Sequence, residues 1–444
     1  MSSQFTVLHP NAAGIDIAST SHFVCVPEGR SLNPIRKFGG FTEDLHEMAR
    51  WLKECQIDTV AMESTGVYWI QAYLILEEYG FEVYLVNARH IKNVSGRKTD
   101  VKDCQWIQQL HTYGLLNNSF QPDDLTRELR TYTRQRKNLT GQASTQVHLM
   151  QKSFDQMNIK LHNVISDITG KSGTLIIESI LNGERNAQIL AEQAESRIKA
   201  SQEDLIKSLE GIWRDDNLFE LRQAYELYNI FRDKICECDV QIQAVLDKII
   251  SKNGNNTNSV NQTNAAKKKI KRKTKSSLNF NAESYLKTLI GVDLTEIFGI
   301  NELTAIQILS EIGTDLSAWK TEKHFTSWLN LAPNTKISGG KKLKGKAIKR
   351  TNKAGQAFLM AASTLKASKN WLGEFYRRIK AKRGAPVAIK ATARKLAIIL
   401  YKMMNEKIEF NPIPIEEYNQ NFKERKIKYI SKQAKLLGYN MVLA

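Results

Sequence analysis

Five runs of strand length, "AAGIDIAS", "SHFVCVPEG", "SLNPIRKFGG", "DTVAMES" and "FEVYLVNA", succeed one another near the amino terminus. The first three follow closely. The last two are each preceded by a stretch apolar at helical spacing, "TEDLHEMARWLKECQ" and "GVYWIQAYLILEEYG". A hairpin start followed by strand–helix alternation can bury its apolar faces only in layers, so it predicts an α/β domain over residues 1–125. Thr42 is the expected cap of the first helix and Gly80 the stop of the second.

The rest of the chain has a different period. Residues 126–250 are polar and apolar at helical spacing, with few breakers beyond "DITGKSGT". They predict long paired helices of coiled-coil character, with irregular heptads. Residues 251–280 form a polar, low-complexity linker with seven basic residues between Lys267 and Lys275, a composition expected to be disordered alone. Residues 281–410 read as helical, and 411–444 as a further helix on the outside. Three units suit 444 residues at roughly 150 per domain. No apolar run approaches the roughly 18 residues of a membrane span, and the start lacks the pattern of a secretory signal. Five cysteines without a paired C-x-x-C framework read as reduced, buried thiols of a cytoplasmic protein with no membrane partner.

Charge is distributed unevenly. Ser338 to Lys407 carries nineteen Lys and Arg against two acids, Glu374 and Glu406, whereas the remainder is nearly balanced within a net charge of +18. A block of one sign repels itself unless a polyanion offsets it, and nucleic acid is the polyanion that fits.

Against that excess, four acids stand out. Asp16 lies between apolar residues of the first strand, where an ionised group is costly unless it is paired or binds a cation. Glu63 closes the strand "TVAMES", at the carboxyl edge where open α/β sheets place their ligands. Asp100 and Asp103, in "NVSGRKTDVKDCQWI", share one face at the head of a helix. Each has an ordinary structural use as a buried acid or a helix-terminal anion. Together they offer the hard oxygen donors that suit magnesium in phosphodiester chemistry. Downstream, Ser338 precedes Gly339 and Gly340 in "KISGGKK": by itself a turn, but one through which backbone can approach a phosphate closely. "LIGVDLTEIFGINELTAIQILSEIG" reads either as a helix-hairpin-helix or as a plain corner packing Ile297, Ile300 and Leu303. Tyr68 and Trp69 read as core or as a platform for an unpaired base.

The runs "GIDIAS", "MESTGVYW", "VNARHIKNVSGRKTDVKD", "RELRTYTRQRKNL" and "WLNLAPNTKISGGK" resemble the DEDD transposases of the insertion-sequence 110 group, in particular its 1111-like branch. The likeness continues through "LFELRQAYELY", "GEFYRRIKAKRGAP" and "ATARKLAIILY". It implies a RuvC-like, RNase-H-like catalytic domain whose acidic metal ligands fall on Asp16, Glu63, Asp100 and Asp103, holding Mg2+ with Mn2+ as a substitute. An all-α C-terminal transposase domain would supply Ser338 as the nucleophile, in a site composed from two subunits. The partners implied are donor and target DNA, a non-coding bridge RNA that chooses them, and further copies of the chain in a dimer of dimers. The setting implied is bacterial and nucleoid-associated. Candidates for nucleic-acid contact are Arg97, Lys98, Lys341, Lys342, Lys344, Lys346, Lys349, Arg350, Arg377 and Arg378. The alternatives are a RuvC-like junction resolvase using a metal-activated water and a non-catalytic scaffold. Ser338 separates the first reading from the second.

Overall fold

The five strand-length runs pair into one mixed sheet in the order β3-β2-β1-β4-β5, built from β1 (Ala12–Ile17), β2 (Ser21–Cys25), β3 (Ile35–Gly39), β4 (Thr59–Glu63) and β5 (Glu82–Val86). The structure, a computed structural model, describes residues 6–87, 100–254, 274–333, 336–343, 352–440 and 442. β1 to β3 are antiparallel neighbours, whereas β4 and β5 run parallel to β1. Parallel neighbours need a crossover, which α1 (Thr42–Glu54) and α2 (Trp69–Glu78) supply. One face of the sheet buries Ile15, Val60 and Met62 against Met48 and Leu52 of α1 and Leu76 of α2. Each such side chain contributes roughly 1.5–3 kcal/mol of apolar burial. This mixed sheet with its helices is consistent with an RNase-H-like domain. Thr42 is not the cap of α1 but its first residue; the Phe41 N–H is instead accepted by the Asp44 carboxylate at 3.0 Å. Asp44 reaches back from the first turn to that N–H, as the acid of a capping box does, while no side chain caps the helix in the way expected of Thr42.

The chain divides into two compact units, Met1–Gln121 and Pro122–Ala444. In the first, α3 (Asp100–Thr112) packs on β1, β2 and β4.

The second unit is helical. Its longest elements, α4 (Asp124–Gln156) and α9 (Asp215–Lys252), lie antiparallel, since Glu128 meets Lys248 and Arg136 meets Asp239. The Arg136–Asp239 pair is almost wholly buried, and it also holds the chain near residue 277: Arg136 donates to the Ser276 and Ser277 carbonyls, and Asp239 accepts from the Asn279 N–H. Between the two long helices, four short ones, α5 (Leu161–Val164), α6 (Lys171–Leu181), α7 (Ala187–Glu192) and α8 (Gln202–Leu209), close a separate core with Phe154, Ile177, Leu205 and Leu221.

Six further helices follow: α10 (Ala282–Ile290), α11 (Glu302–Ile312), α12 (Glu322–Trp328), α13 (Lys353–Thr364), α14 (Trp371–Arg383) and α15 (Ala385–Glu406). Their core is aromatic, with Trp319, Phe325 and Tyr401 in contact and the Tyr401 hydroxyl donating to the Trp319 carbonyl. At the corner before α11, Ile297 and Ile300 are buried, and a side chain at Gly299 would stand 2.8 Å from the Ala361 carbonyl of α13. A short hairpin, β6 (Lys336–Ser338) and β7 (Lys341–Leu343), precedes α13. The outermost helix, α16 (Ile415–Leu436), buries no residue fully and leans on α14 through Arg378 stacked over Phe422. Residues 255–273, most of the expected basic linker, lie outside the described residues. No helix among the described residues is long and apolar enough to cross a membrane.

Candidate active site

Strand register and one glycine place the acids of the first unit. Ile15 of β1 stands opposite Met62 of β4, so Asp16 and Glu63 are the next residues along two parallel neighbours. Paired residues share a face and alternate along the strand. Gly14 and Ala61 mark which face it is. A Cβ at Gly14 would lie 2.4 Å from the Cys104 carbonyl and 2.3 Å from the Gln108 nitrogen, and Ala61 packs on Ile107. Asp16 and Glu63, two residues on, therefore lie on the sheet face that α3 covers, at its carboxyl edge.

α3 runs against the strands. His111 meets Thr59 at the start of β4, Ile107 meets Ala61, and Cys104 meets Gly14. Continuing toward its N-terminus, the helix brings Asp103 and Asp100 to the edge that carries Asp16 and Glu63, and Asp16 is close enough to act electrostatically on the Cys104 thiol. Both helix acids occupy the first turn, where the dipole favours anions. Asp16, Glu63 and Asp103 are half-buried and Asp100 is exposed. Glu63 accepts a hydrogen bond from the Thr65 hydroxyl at 3.3 Å. Asp16 and Glu63 on neighbouring strands and Asp100 and Asp103 in the first turn of α3 offer the oxygen donors that suit a hard divalent cation. No three His, Cys, Asp or Glu side chains among the described residues are grouped to hold one ion, so the acids share an edge without forming a closed ligand cluster.

The other end of α3 is of opposite character. His111 is fully buried, stacked on His9 at 4.8 Å and against Tyr84 at 4.6 Å. The Thr59 hydroxyl gives its proton to the Glu82 carbonyl, so His111 Nε2 must donate to Thr59, leaving Nδ1 as a buried acceptor without a partner among the described residues. Protonating that nitrogen would bury an unpaired cation. Burial first, and the neighbouring His9 second, accordingly push the His111 pKa down to about 4.

Ser338 ends β6, exposed, opposite Lys341 of β7. Gly339 and Gly340 have φ of +55° and +72°, the pair of left-handed residues that a two-residue hairpin turn requires. Among the described residues, nothing stands within 4 Å of a Cβ built on either. The serine thus sits beside an open turn.

Lys341 is exposed and is the one candidate nucleic-acid contact that the structure leaves at that turn among the described side chains. Arg97, Lys98, Lys344, Lys346, Lys349 and Arg350 lie outside the described residues, as does the Lys342 side chain. Arg377 and Arg378 are engaged within the fold. Both pair with Glu374, Arg377 also donates to the Ser368 carbonyl, and Arg378 reaches Asn419 and the Phe422 ring. Of the two aromatics after Glu63, Tyr68 is 47% exposed, whereas Trp69 packs on the core against Tyr73. Gly14 escaped the reading of single residues, although a glycine inside an apolar strand is a sign that backbone approaches closely.

Residues 13–159 match a family of DEDD transposases of the IS110 type, described as transposase, and residues 293–377 match a family described as transposase IS116/IS110/IS902. No curated protein matches the sequence. Asp16, Glu63, Asp100 and Asp103 fall inside the first matched segment and Ser338 inside the second.

Proposed function

Starting from the support that both matched segments give to the IS110 transposase family, we propose that this protein is a DNA transposase whose acids Asp16, Glu63, Asp100 and Asp103 and whose Ser338 form one catalytic machinery. What supports the reading is that Asp16 and Glu63, neighbours on β1 and β4, and Asp100 and Asp103 in the first turn of α3 lie within one transposase match while Ser338 lies within the other. The acids would hold a divalent cation, magnesium or manganese, which when bound supplies Lewis-acid stabilisation of phosphate oxygens. Ser338, exposed beside its glycine turn, would attack a DNA phosphodiester. Its Oγ bonds to phosphorus as the bond to the 3′ oxygen breaks, the serine proton passes to a carboxylate or water, and the 3′ oxygen leaves as a hydroxyl after taking a proton. The product is a phosphoserine joined to the 5′ side. The reverse attack by a new 3′ hydroxyl would join strands without loss of bond energy.

The same reading extends to a bridge RNA choosing the DNA partners and to a dimer of dimers in which acids and serine come from different subunits. What supports both is the resemblance, together with a basic C-terminal region suited to backbones rather than base edges.

Ser338→Ala tests the serine. It should abolish a covalent protein–DNA adduct and lower strand transfer on the order of 10³-fold or more, with DNA binding retained. Metal-dependent cleavage that persists in Ser338→Ala would instead establish a hydrolytic nuclease. Loss of strand transfer in Asp16→Asn with the fold intact would tie the sheet edge to the chemistry.

A further inference from the structure

In the second unit, α4, α11 and the start of α13 line an open pocket of about 300 Å³ in which, among the described residues, no hydrophobic residue takes part. Arg134, Lys137 and Lys353 bring three cations to it, Asn138 and Gln307 bring two amides, and Glu311 is its one acid. That acid is already spent. Its two oxygens accept from Arg134 Nε and Nη2 at 2.8 Å, and Arg130 stands at 3.3 Å. Glu311 lies at the bottom, buried, while Arg134, Lys137, Asn138 and Lys353 are exposed at the mouth. The helical spacing is ordered. Arg130, Arg134 and Lys137 recur at three and four residues, one ridge of α4, and Gln307 and Glu311 make the facing ridge of α11.

Cations in excess of acid, presented by side chains with polar or charged ends, select an anion. Beside the pocket, burial lowers the pKa of Arg130 and the like charges of Arg134 and Arg127 add to it, against the opposing pull of Glu311. About ten waters' share of liquid volume fits the space, enough for a phosphate group with its oxygens met by ammonium, guanidinium and amide N–H donors. We propose that this cavity binds a backbone phosphate of nucleic acid, with Lys137 and Lys353 as the two mobile cations at its mouth and the Arg134–Glu311 pair as its fixed wall. The proposal rests on the reading of the chain as a DNA-handling enzyme and adds a contact to it. Free phosphate shares the chemistry, and the test separates the two sources.

Full-length protein would be titrated with a 30-base-pair DNA duplex over a series of salt concentrations. The paired variant Lys137→Ala and Lys353→Ala would be compared with a control pair, Lys199→Ala and Lys207→Ala, on exposed surface of the short-helix segment. Each phosphate contact contributes about 0.9 to the slope of log K against log salt. The cavity pair should lower that slope by about 1 and weaken binding roughly tenfold, with circular dichroism unchanged and the control pair close to wild type. Equal slopes in the two pairs would overturn the cavity's role while leaving DNA binding in place. Wild-type protein that binds neither DNA nor RNA would overturn the functional reading itself. Stabilisation of the wild type by millimolar inorganic phosphate, lost in the cavity pair while the DNA slope stays the same, would make it a small-anion site and overturn the backbone proposal.

Discussion

The two candidate halves of the chemistry are positioned by opposite means. The acids of the first unit owe their shared edge to a sheet register, to α3 and to a glycine that lets the helix backbone sit on β1. Ser338 owes its position to a three-residue strand pair and two glycines, with nothing among the described residues crowding the turn. The first arrangement is built into a core, so displacing one group strains many. The second is local, so chemistry can be removed from it with little effect on folding.

That contrast can be broken most severely at Gly14. Gly14→Ala should destabilise the protein by about 3 kcal/mol or more, because the added carbon meets helix backbone rather than a flexible side chain. It should also lose strand transfer as α3 shifts from the sheet. Urea unfolding at near wild-type stability would show that the helix does not sit as closely as described.

Acid should weaken the same helix from its other end. His111 is neutral in the folded protein, with its pKa held down to about 4 by burial, so the unfolded chain takes up a proton below about pH 6.5 while the folded chain does not. This contribution is fully present above pH 6.5, declines as pH falls toward 4, and amounts to up to about 3 kcal/mol. Urea midpoints at pH 7 and pH 4.5 would reveal it. An acid slope of the same size in His111→Phe would assign the loss to other groups.

The hairpin should respond far less. Gly339→Val places a β-branched residue at φ +55° with nothing nearby to clash, a local cost of about 1–2 kcal/mol, whereas Gly339→Asn should cost a few tenths. If both variants unfolded the protein, the turn would be part of the core and the contrast would be lost. Smallest of all is Ser338→Ala, expected to leave stability within about 0.5 kcal/mol while eliminating strand transfer. A large stability change there would mark the serine as structural.

Much of this arrangement can be read along the chain. The order of strands and helices in residues 12–86 follows from a period that switches between two and about 3.6, and that switch is a property of consecutive residues. Asp100 and Asp103 at a helix head, and Ser338 before a glycine turn, are likewise local patterns. Other features depend on who stands across. The choice of Asp44 over Thr42 at the start of α1 turned on reach rather than propensity. The four short helices between α4 and α9 share the helical period of their neighbours, so the sequence marks them only by scattered breakers such as "DITGKSGT". Tyr68 and Trp69 are adjacent and chemically alike, yet one is exposed and the other packed. The cationic cavity needs Arg134 and Glu311 together, residues 177 positions apart.

Residue type and spacing alone determined that the chain would start as a layered α/β domain, continue as helices, and carry an unbalanced positive region in want of a polyanion. Periodicity and charge act over a few residues and survive without any partner. Only the folded structure decided that Asp16 and Glu63 share a face with α3, that His111 is locked neutral, and that three cations surround one already neutralised acid. Those outcomes depend on distances between residues far apart in the chain, which packing sets and composition cannot.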